Sequence, residues 1–329
     1  MEEEEKSLKV TRLYKPPKCF RYFFDYLIEE ITDDGEHGIR IIVVVECLRT
    51  LFYYGLVTTF VVGVVLTMLF VREDHKAIIM DVFGVSNICT YLDFPPATYI
   101  LPIVYTFPMF SGITYSIVSI FRVSISYNEN KIGRLAKILL WIAHIHFIFS
   151  LIWVTAVFAV QPDRKDPTSM IVHTLPYVNF KVAFCTLQIG VTYFGSNVSW
   201  NCLNFSKCFN KRWFVALSWI HVFFQFIDMI VSNIMIINAL GDMGAEGLIG
   251  KGLQWDVHKQ SSKTIMNVFA NWAAFFLNFI VPWAQSQYLF TRGRNDISNT
   301  HTISFYISDN QKASQTHDFH NESCNMNVN

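Results

Sequence analysis

The chain has 329 residues, of which 52% are hydrophobic, 16% aromatic and only 16% charged, with a formal net charge of zero; an ordinary soluble domain carries roughly 25% charged residues. So little charge cannot coat a soluble surface of this size, which leaves lipid as the surrounding medium. Neither sign dominates a long block, which excludes a nucleic-acid surface.

Residues 1–49 read as a cytoplasmic N-terminal segment. They are rich in charge, include Pro16 and Pro17, and have no early apolar stretch of the signal-peptide kind, so the first span is expected to act as the insertion signal and stay. The acidic run from Glu2 to Glu5 reads as a solvated stretch. Six apolar segments follow, at about 50–71, 97–121, 136–160, 177–200, 213–240 and 264–290. Each has the roughly 20 residues needed to cross a hydrocarbon core of about 30 Å. The expected fold is therefore all-α: a polytopic membrane protein whose residues 50–290 form a six-transmembrane-helix bundle.

Basic residues in short loops set the orientation, because they resist translocation. Lys6, Lys9, Arg12, Lys15, Lys18, Arg21, Arg40 and Arg49 precede the first span, against Arg72 and Lys76 after it. Arg122, Lys131, Arg134 and Lys137 mark the second loop as cytoplasmic, and Lys207, Lys211 and Arg212 the fourth. Both termini are expected in the cytoplasm. Cys89 then stands alone on the exoplasmic side, so no intrachain disulfide is expected. The sequons at Asn204 and Asn321 fall inside and that at Asn197 within a span, which argues against glycosylation.

The second span carries Pro102 and Pro108, followed by Gly112. Each proline removes a backbone donor, so the helix is expected to kink or break, either lining a cavity or as a tolerated proline kink. In the third span His144 and His146 lie two residues apart and point to different faces, which excludes a shared zinc ion on a regular helix. Lys181 is placed near the exoplasmic end of the fourth span, where snorkelling to the interface is the expected behaviour.

Ser218, His221, Gln225, Asp228 and Ser232 recur at helical spacing in the fifth span, and Asn267, Asn271, Asn278 and Gln285 in the sixth. Such stripes are either interhelical glue or a shared polar interior. Asp228 lies near mid-span, where an ionised carboxylate needs a partner; His221, His144 and Lys181 are the candidates. Residues 291–329, rich in Asn, Ser and His, read as a disordered cytoplasmic tail. No metal and no cofactor is expected. The chain has no Gly-rich phosphate loop, Gly-x-Ser-x-Gly elbow or His-Glu-x-x-His pair, so catalysis does not follow from its residues.

The stretch Ile88-Cys-Thr-Tyr-Leu-Asp-Phe-Pro-Pro96, then Phe107-Pro-Met-Phe-Ser-Gly-Ile-Thr-Tyr115 and Arg122, resembles the region around the second helix of the Frag/DRAM/Sfk family. Val172-His173-Thr174 resembles that family's entry to the fourth helix, and Phe269-Ala-Asn-Trp272 its last-helix signature, with Asn271 at the family's Glu position. The resemblance implies a six-helix membrane protein with cytoplasmic ends. Its post-GPI-attachment-factor branch implies an accessory factor in GPI-anchor lipid remodelling, in the Golgi or endoplasmic reticulum, with membrane lipids as partners. A DRAM-like lysosomal regulator of autophagy, a plasma-membrane Sfk-like protein and a small-solute channel or transporter are the alternatives. In the leading reading Lys181 and His173 meet anionic headgroup oxygens, Asp228, His221 and Asn271 line the polar interior, and Arg122 joins the site.

Overall fold

The structure is a computed structural model and describes residues 11–12, 28–33, 39–70, 92–160, 167–197, 211–240, 277, 280–282 and 302–307. The chain divides into two units, one built from its two ends and one from residues 46–300.

The first unit is a four-stranded antiparallel sheet in the order β1 (Thr11–Arg12), β2 (Ile28–Asp33), β3 (Ile39–Val44) and β4 (Thr302–Ile307). β3 is almost wholly β-branched and β4 alternates apolar with polar residues, both favourable to extended backbone. Their register sets Ile39, Ile41 and Val43 opposite Ile307, Phe305 and Ile303. These strands stand beside the expected helical fold, and within the tail Thr302–Ile307 is a strand. The tail's average composition hid one six-residue strand whose partner lies at the other end of the sequence.

The second unit is all-helical among its described residues. Its helices are α1 (Val45–Phe70), α2 (Ala97–Asn128), α3 (Arg134–Trp153), α4 (Thr155–Ala159), α5 (Pro167–Asn197) and α6 (Lys211–Leu240). Four helical stretches, Val45–Phe70, Ala97–Asn128, Arg134–Ala159 and Thr168–Ser196, are long and apolar enough to cross a membrane. The protein is thus a multi-pass integral membrane protein by the length and composition of its helices. Within α6, Val215–Ile230 is a shorter apolar stretch. The expected sixth span lies almost entirely outside the described residues.

These helices are apolar outward and polar inward. On α3, Ile138, Ile142, Ile145, Phe149 and Ile152 are exposed at helical spacing, while Ala143, His144, Phe147, Ser150 and Leu151 are buried. That is the arrangement of a lipid-facing helix around a polar interior. On α6 Ser218, His221 and Gln225 are buried, whereas Phe223, Phe224 and Ile227 face outward.

α1 is packed by three neighbours. Phe52 meets Phe147 of α3 edge-on and Tyr53 meets Phe184 of α5, with ring centroids 5.4 and 6.0 Å apart. Gly55 lets α2 approach, since a Cβ there would lie 2.7 Å from Phe107 and 3.0 Å from Pro108. Gly112 does the same against Leu151 and Phe52. α2 runs as one helix through Pro102 and Pro108, so the prolines do not break it.

Two helix starts lie a turn or more before those read in the sequence, and α2 runs past its expected end to Asn128. α1 begins at Val45, which brings Glu46 and Arg49 onto the helix. α5 begins at Pro167, about three turns before the expected start, and continues through Pro176. Proline is well suited to the first helical position, where its missing N–H has no partner to lose.

Candidate functional site

The most densely polar part of the bundle lies where α1 begins and α2 approaches its end. Glu46, in the first turn of α1, sits at the positive end of the helix dipole. Its carboxylate receives a hydrogen bond from Arg122 Nη1 at 2.9 Å, and its other oxygen is 2.8 Å from Arg49 Nη2. The second contact is a charge pair without aligned hydrogen-bond geometry, because Arg49 Nη2 lacks a hydrogen-bond partner among the described residues. The three side chains are 3%, 1% and 7% exposed for Glu46, Arg49 and Arg122.

Around this triad stand Tyr115 and Ser119, one turn apart on the Arg122 face of α2, and His144 of α3, whose ring lies 5.8 Å from that of Tyr115. Phe194 of α5 closes the group, with the Arg122 guanidinium 4.8 Å above its ring. Among the described residues two guanidiniums face one carboxylate, an excess of positive charge. Arg49 Nε and Nη1, Arg122 Nε, and the Tyr115 and Ser119 hydroxyls have no hydrogen-bond partner among the described residues. Arg122 was a candidate in the sequence; Glu46, Arg49, Tyr115 and His144 were not assigned to its site. The signal that points to them is a Glu-x-x-Arg spacing at the very start of an apolar run.

The other two residues expected to meet a headgroup, His173 and Lys181, each face an acidic side chain. His173 lies in the second turn of α5, its Nδ1 donating to the Val160 carbonyl at 2.7 Å and its Nε2 3.5 Å from Asp93 Oδ1. Asp93 belongs to the turn preceding α2, and burial pushes its carboxyl up to about 8. With Nδ1 holding a proton for Val160, the Nε2 lone pair faces the protonated carboxyl. The ordinary aspartate value is about 4. A carboxyl raised on folding binds more protons folded than unfolded between these values, so stability falls as pH rises from about 4 through about 8. Asp93→Asn is expected to flatten this slope. Unfolding temperature in detergent from pH 5 to 9 checks it, and equal slopes for the variant and the parent count against it.

Lys181 lies midway along α5, not near its end, because the helix starts earlier than expected. There it turns to α6, with Nζ 3.5 Å from Asp228 Oδ2, each side chain 20% exposed. This corrects the snorkelling expectation and selects Lys181 from the three partners considered for Asp228. His144 belongs instead to the triad site, and His221 is buried with Nε2 unpartnered among the described residues. Between α3 and α5, Asn179 donates to Ser150 Oγ at 2.6 Å and its carbonyl oxygen lies 3.0 Å from His146 Nε2, the sort of polar glue membrane helices use. Asn271 lies outside the described residues. Among those residues no three His, Cys, Asp or Glu side chains gather into a metal-binding group.

No family model matches the chain, and no curated protein and no solved structure matches it.

Proposed function

We propose that the chain is a six-span membrane factor, with both termini in the cytoplasm, that handles anionic lipids and supports GPI-anchor lipid remodelling in the Golgi or endoplasmic reticulum. The observation that carries the lipid role is the buried triad, where Arg49 and Arg122 outnumber Glu46. Lys181 faces the Asp228 carboxylate and His173 the Asp93 carboxyl, so the headgroup role assigned to them passes to the two arginines. The GPI-anchor role rests on the family resemblance of the segments around Asp93, Arg122 and His173. An even number of spans is supported by the pairing of β3 with β4, since one strand precedes the first membrane helix, the other follows the last apolar segment, and paired strands occupy one side of a membrane.

Deleting the protein is expected to lower surface display of GPI-anchored proteins. Restoring it as Arg122→Met, at equal abundance, should not recover that display. Display that is unchanged on deletion removes the GPI-anchor role.

A small-solute transporter is the second reading. It is favoured by Lys181–Asp228, an ion pair midway along its helix, as intramembrane ionisable pairs mark transport pathways. Solute flux in reconstituted vesicles, abolished by Asp228→Asn, distinguishes it.

A further inference from the structure

We infer that the triad between α1 and α2 is a binding site for a singly charged tetrahedral phosphate oxyanion, held by Arg49 and Arg122 with the Tyr115 and Ser119 hydroxyls. The inference deepens the lipid-handling proposal and rests on it only for the source of the anion.

Charge is the first ground. A guanidinium keeps its proton in a protein, and one buried without a counter-charge is strongly destabilising. Among the described residues Glu46 is the one carboxylate against the two, so these residues balance on taking up one further negative charge. A phosphodiester carries one charge, whereas a doubly ionised phosphomonoester overshoots.

The free donors are the second ground. Among the described residues nothing hydrogen-bonds Arg49 Nε and Nη1 or Arg122 Nε, all buried. The Tyr115 and Ser119 hydroxyls stand side by side without an aligned hydrogen bond. Leaving so many donors dry is costly, and native interiors rarely do it. These donors come from two helices and converge on Arg49 and Arg122, and guanidinium forks are common phosphate ligands.

The alternative is a structural ion cluster with no ligand. The two differ in what Arg49 does. Removing it from an empty cluster leaves a balanced Glu46–Arg122 pair and raises stability; removing it from a binding site abolishes a response to ligand.

The test is the unfolding temperature of the full-length protein in an uncharged detergent. One arm adds sodium phosphate against sodium chloride of matched ionic strength, with sodium acetate as the planar control. Another adds short-chain phosphatidylglycerol against short-chain diacylglycerol. The expected result is a rise of about 5 °C at a hundredfold excess over half-saturation. A rise with the lipid alone identifies a lipid phosphodiester, and a rise with both identifies the phosphate group itself; either supports the site. In Arg49→Met the rise is lost, while the unliganded protein unfolds at the same or a higher temperature. No rise in the parent, an equal rise with acetate, or an undiminished rise in Arg49→Met overturns the inference. A phosphate response together with unchanged GPI-anchored protein display would sink the remodelling role and leave the anion site standing.

Discussion

Glu46→Gln lowers stability by about 3–5 kcal/mol, the usual effect of removing one partner from a buried ionic group. Gln keeps the shape of the side chain and removes its charge, so Arg49 and Arg122 face each other 1% and 7% exposed with nothing between them to compensate. Replacing all three residues with Met is expected to recover most of the loss, because apolar groups of similar volume need no counter-charge. Thermal unfolding of the two variants beside the parent in one detergent checks this. A single Glu46→Gln variant within about 1 kcal/mol of the parent means that the triad is open to water, since exposed pairs contribute no more than that.

The second large effect concerns α5 and α6. Lys181→Met leaves the Asp228 carboxylate without its cation, and Asp228→Leu does the converse. Each is expected to destabilise by about 2 kcal/mol, below the fully buried case because both groups retain partial exposure. The double variant should lose less than the sum, with a coupling of about 1–2 kcal/mol. Exchanging the two residues, Lys181→Asp with Asp228→Lys, should restore at least half of the stability. Strictly additive single effects would show that the two side chains do not interact.

Legibility in the sequence followed length and hydropathy. Four of the six expected apolar segments correspond to helices that can cross a membrane, since some 20 apolar residues are a strong signal. The inward stripe of α6 was equally legible, because Ser218, His221 and Gln225 repeat with the helical period. Charges at helix ends were not. Arg49 precedes the apolar run, where it reads as a residue that orients the chain, yet Glu46 and Arg49, three residues apart, can enter a helix together once Arg122 is present across the interface. That partner is 76 residues away in sequence. The same holds for Asp93, in the turn before α2, and His173, in α5, and for β4, whose six residues acquire meaning only beside β3. Local patterns reveal elements, whereas sites made from distant residues depend on which helix ends the bundle brings together.

The pairing of β3 with β4 also sets a schedule. Ile39–Val44 leaves the ribosome early and Thr302–Ile307 late, and at roughly 5–20 residues per second the interval between them is on the order of tens of seconds. For that time β3 offers an open hydrogen-bonding edge, the kind that recruits stray strands. Completion of the sheet therefore reports that the whole chain has been threaded, and a message truncated before Thr302 yields a protein that carries its apolar helices into the membrane while displaying an uncapped strand for cellular quality control to detect.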